Sequence, residues 1–368
     1  MRIIKLSSAW LGPEEEQAVN RVFANQALNM GFETKMFEEE LASFFNKKGS
    51  FVSCVHSCTA ALQLALQCDG IKPGDEVLVP TCTFVATFQA ISAVGAKPIP
   101  CDIDLDDVFI SLCDAKVRLT SKTRAIVPVL FAGCSTKIHK IYQFAEENNL
   151  KVVEDAAHSF GDDSIADRLG TVCFSFDAIK NITCSDGGAV LTTDITLNER
   201  IKDARLLGVL GDTAARFAGK RSWDFDVVEQ GWRLHMNNLC AAIGRAQLAK
   251  FPQIRTRRQD IAARYMNAFR DIKCLRMLPI NAKTAVPHIF PVIVEDGMRD
   301  ALKEFLLENG VETGIQYKPN HLLSYFNLGY QLPNAMKVYE SILSIPLHPL
   351  LSADDVSYII DSIKKFFK

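Results

Sequence analysis

The chain has 368 residues, 48% of them hydrophobic, which is enough to bury a large core and more than one domain ordinarily holds. Its 41 basic and 43 acidic side chains leave a formal net charge of −2 with no basic block, which argues against a nucleic-acid partner. No apolar run is long enough to cross a membrane and the N-terminus has no signal-peptide core, so the expectation is a cytoplasmic protein with no membrane partner. Eleven cysteines are scattered with no CxxC pair among them, which reads as reduced thiols rather than a disulfide framework. The segment CVHSC around His56 offers only three candidate ligands at a helix start, and no metal is expected.

From about residue 50 to residue 195, apolar strand-like runs alternate with helical patterns. FVSCV, EVLVP, KPIPCDI, AIVPVLFAG, KVVEDA, TVCFSF and AVLTTD read as strands. TAALQLALQCDG, FVATFQAISAVG and KIHKIYQFAEENN space their apolar residues as one-sided helices. This alternation predicts an α/β protein with a mostly parallel, seven-stranded sheet between helices, and ligands on such sheets bind beyond the carboxyl ends of the strands. The stretch 208–231 has no clear period and reads as a long loop, of the kind used as a lid or an oligomer contact. A helix beginning near Asn237 then leads into a smaller C-terminal α+β domain, giving expected domains of 1–245 and 246–368, with the N-terminal segment packing on the small one.

Four pieces at strand exits carry candidate chemistry. In HSCTAAL, Ser57 is placed as an N-cap, and the first amides of the helix, at Cys58 and Thr59, suit a phosphate as well as they suit a plain capped helix. In PTCTF, Phe84 faces either the core or a flat ligand. KVVEDAAH ends a strand on adjacent acids, and a buried Asp155 needs a positive partner, for which Arg168 is the ordinary candidate. SFDAIK supplies Lys180, on its own a surface lysine, but in a pocket an amine able to form a Schiff base with an aldehyde. Together the pieces meet the demands of pyridoxal 5'-phosphate: a lysine, a carboxylate for the ring nitrogen, a helix terminus with hydroxyls for the phosphate, and an aromatic against the ring. Lys180 then serves as anchor and as proton carrier.

Along nearly its whole length the sequence resembles the DegT-type (DegT/DnrJ/EryC/StrS) sugar nucleotide aminotransferases, of aspartate aminotransferase fold type I. The resemblance is carried by SCTAALQLAL, PGDEVLVPTCTFVATFQAI, GAKPIPCDID, VVEDAAHSFG, FSFDAIKNITCSDGGAVLTTD, GWRLHMNNLCAAIGRAQL, GIQYKPNH and LSIPLHP. It implies that Lys180 holds the cofactor, that Asp155 pairs with its ring nitrogen, and that His158 lies near the ring. It also implies that Ser175 and the Cys58–Thr59 turn hold the phosphate and that Phe84 stacks on the ring. The family's GYNYRM motif reaches the phosphate of the neighbouring subunit in a homodimer with shared active sites, and here GWRLHM puts Arg233 at that place. Tyr317 and His321, in GIQYKPNH, stand where relatives approach the substrate. Two further departures are SCT in place of SGT and Leu210–Gly211 in place of His-Gly.

The reaction so implied takes the amino group of L-glutamate to C4 of a dTDP- or GDP-linked 4-keto-6-deoxyhexose. The product is a 4-amino-4,6-dideoxy sugar nucleotide for O-antigen or another surface glycan. Amination of a 3-keto sugar shares the same cofactor set. A dehydratase branch of the family has histidine at the lysine position, against which Lys180 speaks. The alternative from another class is a non-catalytic sugar or cofactor sensor that kept the fold.

Overall fold

Strands of four or five residues, nearly all buried, alternate with helices whose apolar faces cover them, and this spacing builds a sheet that is covered on both sides. The computed structural model describes residues 3–220, 223–281 and 283–368. Seven strands, β1 (Phe51–Val55), β2 (Glu76–Pro80), β3 (Lys97–Cys101), β4 (Thr123–Ile126), β5 (Lys151–Asp155), β6 (Thr171–Ser175) and β7 (Gly188–Thr192), form one sheet in the order β1-β7-β6-β5-β4-β2-β3. Strands β2 to β6 pair in parallel, and β7 runs antiparallel to both β6 and β1. The first six strands therefore point their carboxyl ends to the same edge, where their following turns meet.

One face of the sheet is filled by a phenylalanine-rich core that includes Phe37, Phe45, Phe160, Phe174 and Phe176. The other is filled by the helices Cys58–Cys68 and Val85–Ala93, with Leu62, Leu66, Phe88 and Ile91 buried against Val77 and Val79. The stretch expected to be an irregular loop contains a short helix, Asp212–Phe217, and its residues 221–222 lie outside the described residues.

A helix of 32 residues, Asn238–Phe269, capped by the Asn237 side chain, carries the chain from this sheet to a second core. There β8 (Leu275–Met277), β9 (Phe290–Val294) and β10 (Ile342–Ile345) form an antiparallel sheet in the order β10-β9-β8. Tyr265, Phe269, Leu302, Ile359 and Ile363 pack on it, and Ile4 joins the same core through a bridge to Val311. We propose that the domains divide near residue 246, inside the long helix. Among the described residues no helix is long and apolar enough to cross a membrane.

At Gly188 a helix end comes against the sheet backbone. This glycine is the first residue of β7, in register with Val55 on one side and Ser175 on the other. A Cβ there would lie 2.5 Å from the carbonyl carbon of Ser57 and 2.7 Å from the amide nitrogen of Cys58. Glycine thus lets the N-terminus of the helix Cys58–Cys68 press against the strand. Gly188→Ala should push that helix end away and lower stability by about 2 kcal/mol, read as a reduced urea midpoint at unchanged slope.

Candidate active site

The turns after β1, β2, β5 and β6 enclose a cavity of about 420 Å³. After β1, the Ser57 hydroxyl accepts the amide of Ala60 at 3.2 Å and so fixes the start of the helix Cys58–Cys68. The amides of Cys58 and Thr59 precede the first intrahelical hydrogen bond and remain as donors at the positive end of the helix. Both residues line the cavity, together with the buried Ser175 at the end of β6. After β2, Phe84 ends the turn and is 58% exposed on the cavity wall, its ring centroid 5.6 Å from that of Tyr317.

Strand alternation decides the fate of the two acids at the end of β5. Glu154 turns to one face and meets Arg168 at 3.0 Å, and Arg168 continues to Asp162 at 3.2 Å. Arg168 is therefore spent on Glu154 and is not the partner of Asp155. Asp155 turns to the cavity, where its Oδ2 accepts the Thr87 hydroxyl at 2.7 Å and its Oδ1 the amide of Ala157 at 3.1 Å. Burial pushes its carboxyl above the ordinary value, opposed by those two donors and by the charge of Lys180.

Lys180 lies in the loop between β6 and β7 and reaches into the same cavity. Burial pulls its ammonium below the ordinary lysine value, although Cys58, Asp155 and Asp177 oppose the shift. Its Nζ lies 3.4 Å from Nε2 of His288. His158 packs beside them and is also held well below its ordinary value by burial and by Lys180. Its Nδ1 accepts the amide of Ala132 at 3.3 Å, so its other nitrogen carries the proton and donates to the Tyr317 hydroxyl at 3.2 Å.

The cavity thus gathers Cys58, Thr59, Phe84, Asp155, His158, Ser175, Lys180 and Tyr317. Two residues singled out by sequence lie elsewhere. His321 is buried on a short 3-10 turn, where its Nδ1 and amide both engage the Thr81 hydroxyl, at 2.9 and 3.1 Å, which makes it a latch on the turn that carries Phe84. Arg233 is exposed in a separate depression with Arg216, His235, Trp223 and Phe225. Two residues were missed. Thr87 stands one helical turn beyond Thr83, bonded to it at 2.8 Å, and that spacing was the available signal. His288 is a lone histidine from the C-terminal half, with no local signal at all.

A lysine amine drawn out of water, a buried carboxylate and a free helix N-terminus in one cavity fit pyridoxal phosphate, at the strand edge where this sheet order binds ligands. Fold and site together define a pyridoxal phosphate-dependent transferase of fold type I. The comparisons agree. Residues 10–364 match the DegT/DnrJ/EryC1/StrS aminotransferase family, and the chain belongs to it. The spore coat polysaccharide biosynthesis protein SpsC of Bacillus subtilis is 33% identical over 377 residues, covering 97% of this chain and 95% of its own. Spr1654 from Streptococcus pneumoniae, solved in pyridoxal phosphate and pyridoxamine phosphate forms, superposes with a TM-score of 0.89 at 28% identity, over 99% of this chain and 98% of its own. PseC from Helicobacter pylori, an aminotransferase involved in the biosynthesis of pseudoaminic acid, gives a TM-score of 0.89 at 26% identity, over 100% of this chain and 99% of its own. The protein is a pyridoxal phosphate-dependent sugar aminotransferase.

Thr87→Val keeps the shape of the side chain and removes its donation to Asp155, so the carboxyl should rise further. With Asp155 proposed as the partner of the cofactor's ring nitrogen, the acid limb of pyridoxal phosphate affinity should then move about one unit to higher pH. Fluorescence titration of the cofactor across pH 4–8 measures it.

Proposed function

We propose that the chain transfers the amino group of L-glutamate to C4 of a nucleotide-linked 4-keto-6-deoxyhexose, carried on dTDP or GDP. The product, a 4-amino-4,6-dideoxy sugar nucleotide, is destined for O-antigen or another surface glycan. The observation that carries the reading is the Lys180 amine, withdrawn from water in a cavity shared with Asp155. The C4 preference is supported by the SFDAIKNITCSDGG segment, similar to that of sugar 4-aminotransferases, and the glycan destination by the likeness to SpsC.

Pyridoxal phosphate, when bound, supplies an aldehyde and an electron-withdrawing ring. The protein's residues supply the rest. Lys180, its pKa lowered, has more of its amine free at neutral pH, so that it acts as nucleophile and, when released, as the base and acid that moves a proton. Asp155 is suited to a protonated ring nitrogen, because a positive partner offsets the burial that raises its carboxyl. The Cys58 and Thr59 amides with the Ser175 hydroxyl suit a phosphate, and Phe84 and His158 suit the faces of a flat ring. Tyr317 shares the cavity and takes the sugar side.

We assign Arg233 to the cavity of a second copy, in a homodimer with shared sites. The support is its exposed position beside Trp223 and Phe225, which are 85% and 56% exposed, apolar surface of the kind a second subunit covers. Mixing inactive Lys180→Ala and Arg233→Ala proteins should then restore about a quarter of the activity, since half the dimers are mixed and one of their two sites is intact. Mixtures that stay inactive refute the shared site.

The substrate assignment is tested with 15N-labelled L-glutamate and dTDP-, GDP- and UDP-linked 4-keto and 3-keto sugars, with products identified by mass and NMR. The expected product bears 15N on C4 of a 6-deoxyhexose. Label at C3 gives the rival aminotransferase, and no transfer to any of these sugars overturns the substrate assignment.

A further inference from the structure

His288 belongs to no motif that pointed to chemistry, yet it touches the amine around which the site is arranged. It stands just before β9 and approaches from the C-terminal half of the chain, its Nε2 3.4 Å from Lys180 Nζ. Its Nδ1 is buried and has no partner among the described residues, so the engaged nitrogen of the ring is the one that faces the amine. The residue is 3% exposed. Burial, with Lys180, His158 and Arg258 nearby, holds the imidazole well below its ordinary value, and a neutral imidazole can accept a hydrogen bond where a cation cannot.

The ring is fixed from two directions. The His158 ring packs against it with centroids 4.7 Å apart. Behind it, the buried Arg258 of the long helix donates through one nitrogen to the carbonyls of Pro287, His288 and Leu347, at 3.4, 3.1 and 3.1 Å. This clamp ties the backbone beneath His288 to both the long helix and the segment after β10. A side chain that served only to fill space would not need its backbone held so closely to one register.

We propose that His288 is a positioning residue for Lys180: its Nε2 accepts a hydrogen bond from the amine and aims Nζ into the cavity whenever that amine is free. The proposal rests on the reading of Lys180 as the reacting amine. The other groups that act on Lys180 are Cys58, Asp155, Asp177 and Arg258, with the neutral His158 beside it, and all of them remain when residue 288 alone is changed.

The test uses cofactor-free protein, in which carbamylation of Lys180 by cyanate is followed by peptide mass spectrometry across pH 6–11. His288→Phe removes the acceptor that favours the ammonium, so the midpoint of its profile should fall about one unit below that of the parent. At the same time, capture of pyridoxal phosphate, followed by absorbance at pH 8, should slow about tenfold, because the amine is more often unprotonated but no longer aimed. His288→Gln retains an acceptor and should bring both quantities back towards the parent. Coincident cyanate profiles for the parent and His288→Phe, unchanged capture, or a glutamine variant that behaves like phenylalanine overturn the proposal.

Should His288→Phe fail to fold, 15N resonances of His288 in the parent at pH 7 decide the matter. A bare Nε2 that responds to Lys180→Ala is expected, and a protonated Nε2 overturns the assignment. Failure of the Lys180 reading itself appears separately, as a cofactor chromophore unchanged in Lys180→Ala.

Discussion

The structure turns on a positive charge taken out of water without, among the described residues, a carboxylate at hydrogen-bond distance. Desolvating an ammonium costs several kcal/mol, and a close carboxylate would return much of that and keep the lysine protonated. Here the hydrogen-bond partner of Lys180 is a neutral imidazole, while burial, the largest influence on the amine, wins over the more distant pull of Cys58, Asp155 and Asp177. The result is a lysine inclined to lose its proton, which is the condition for nucleophilic and proton-transfer work near neutral pH.

Keeping that amine dry requires two parts of the chain. The parallel sheet delivers Ser57, Phe84, Asp155, Ser175 and Lys180 to one edge because six strands share a direction. The C-terminal half closes the cavity with Gln316 and Tyr317 and brings His288 to Lys180. Asn320 binds this closure to the turn after β2 through the carbonyls of Thr81 and Thr83, at 3.1 and 2.7 Å, and His321 adds its bond to the Thr81 hydroxyl. On the far side of β5, the buried Arg168–Glu154 pair anchors the strand that ends in Asp155. Loss of one member of such a pair leaves a bare buried charge, at a cost of about 3–5 kcal/mol.

What could be read from the sequence was what is local. The N-cap at Ser57, the acids closing β5 and the lysine after β6 each lie at a strand exit, and strand exits follow from apolar periodicity. Alternation of side chains along the strand sends only one of Glu154 and Asp155 to the cavity, but which one, and the fate of Arg168, became visible only with Glu154 and Asp162 beside that arginine. Tyr317 enters the cavity while the short 3-10 turn between 320 and 322 carries His321 away from it, a divergence within one motif that spacing does not encode. His288 was illegible for a different reason. It meets Lys180 across 108 positions of sequence, through packing between two sheets, and no periodicity encodes such a meeting.

Lys180 is proposed as the amine that captures the cofactor aldehyde. This assignment is tested most directly by reducing the cofactor-loaded protein with borohydride, digesting it and locating the pyridoxyl group by mass spectrometry. A single modified peptide is expected, with the added mass on Lys180. A pyridoxyl group on any other lysine, or no protein-bound group after reduction, would contradict it.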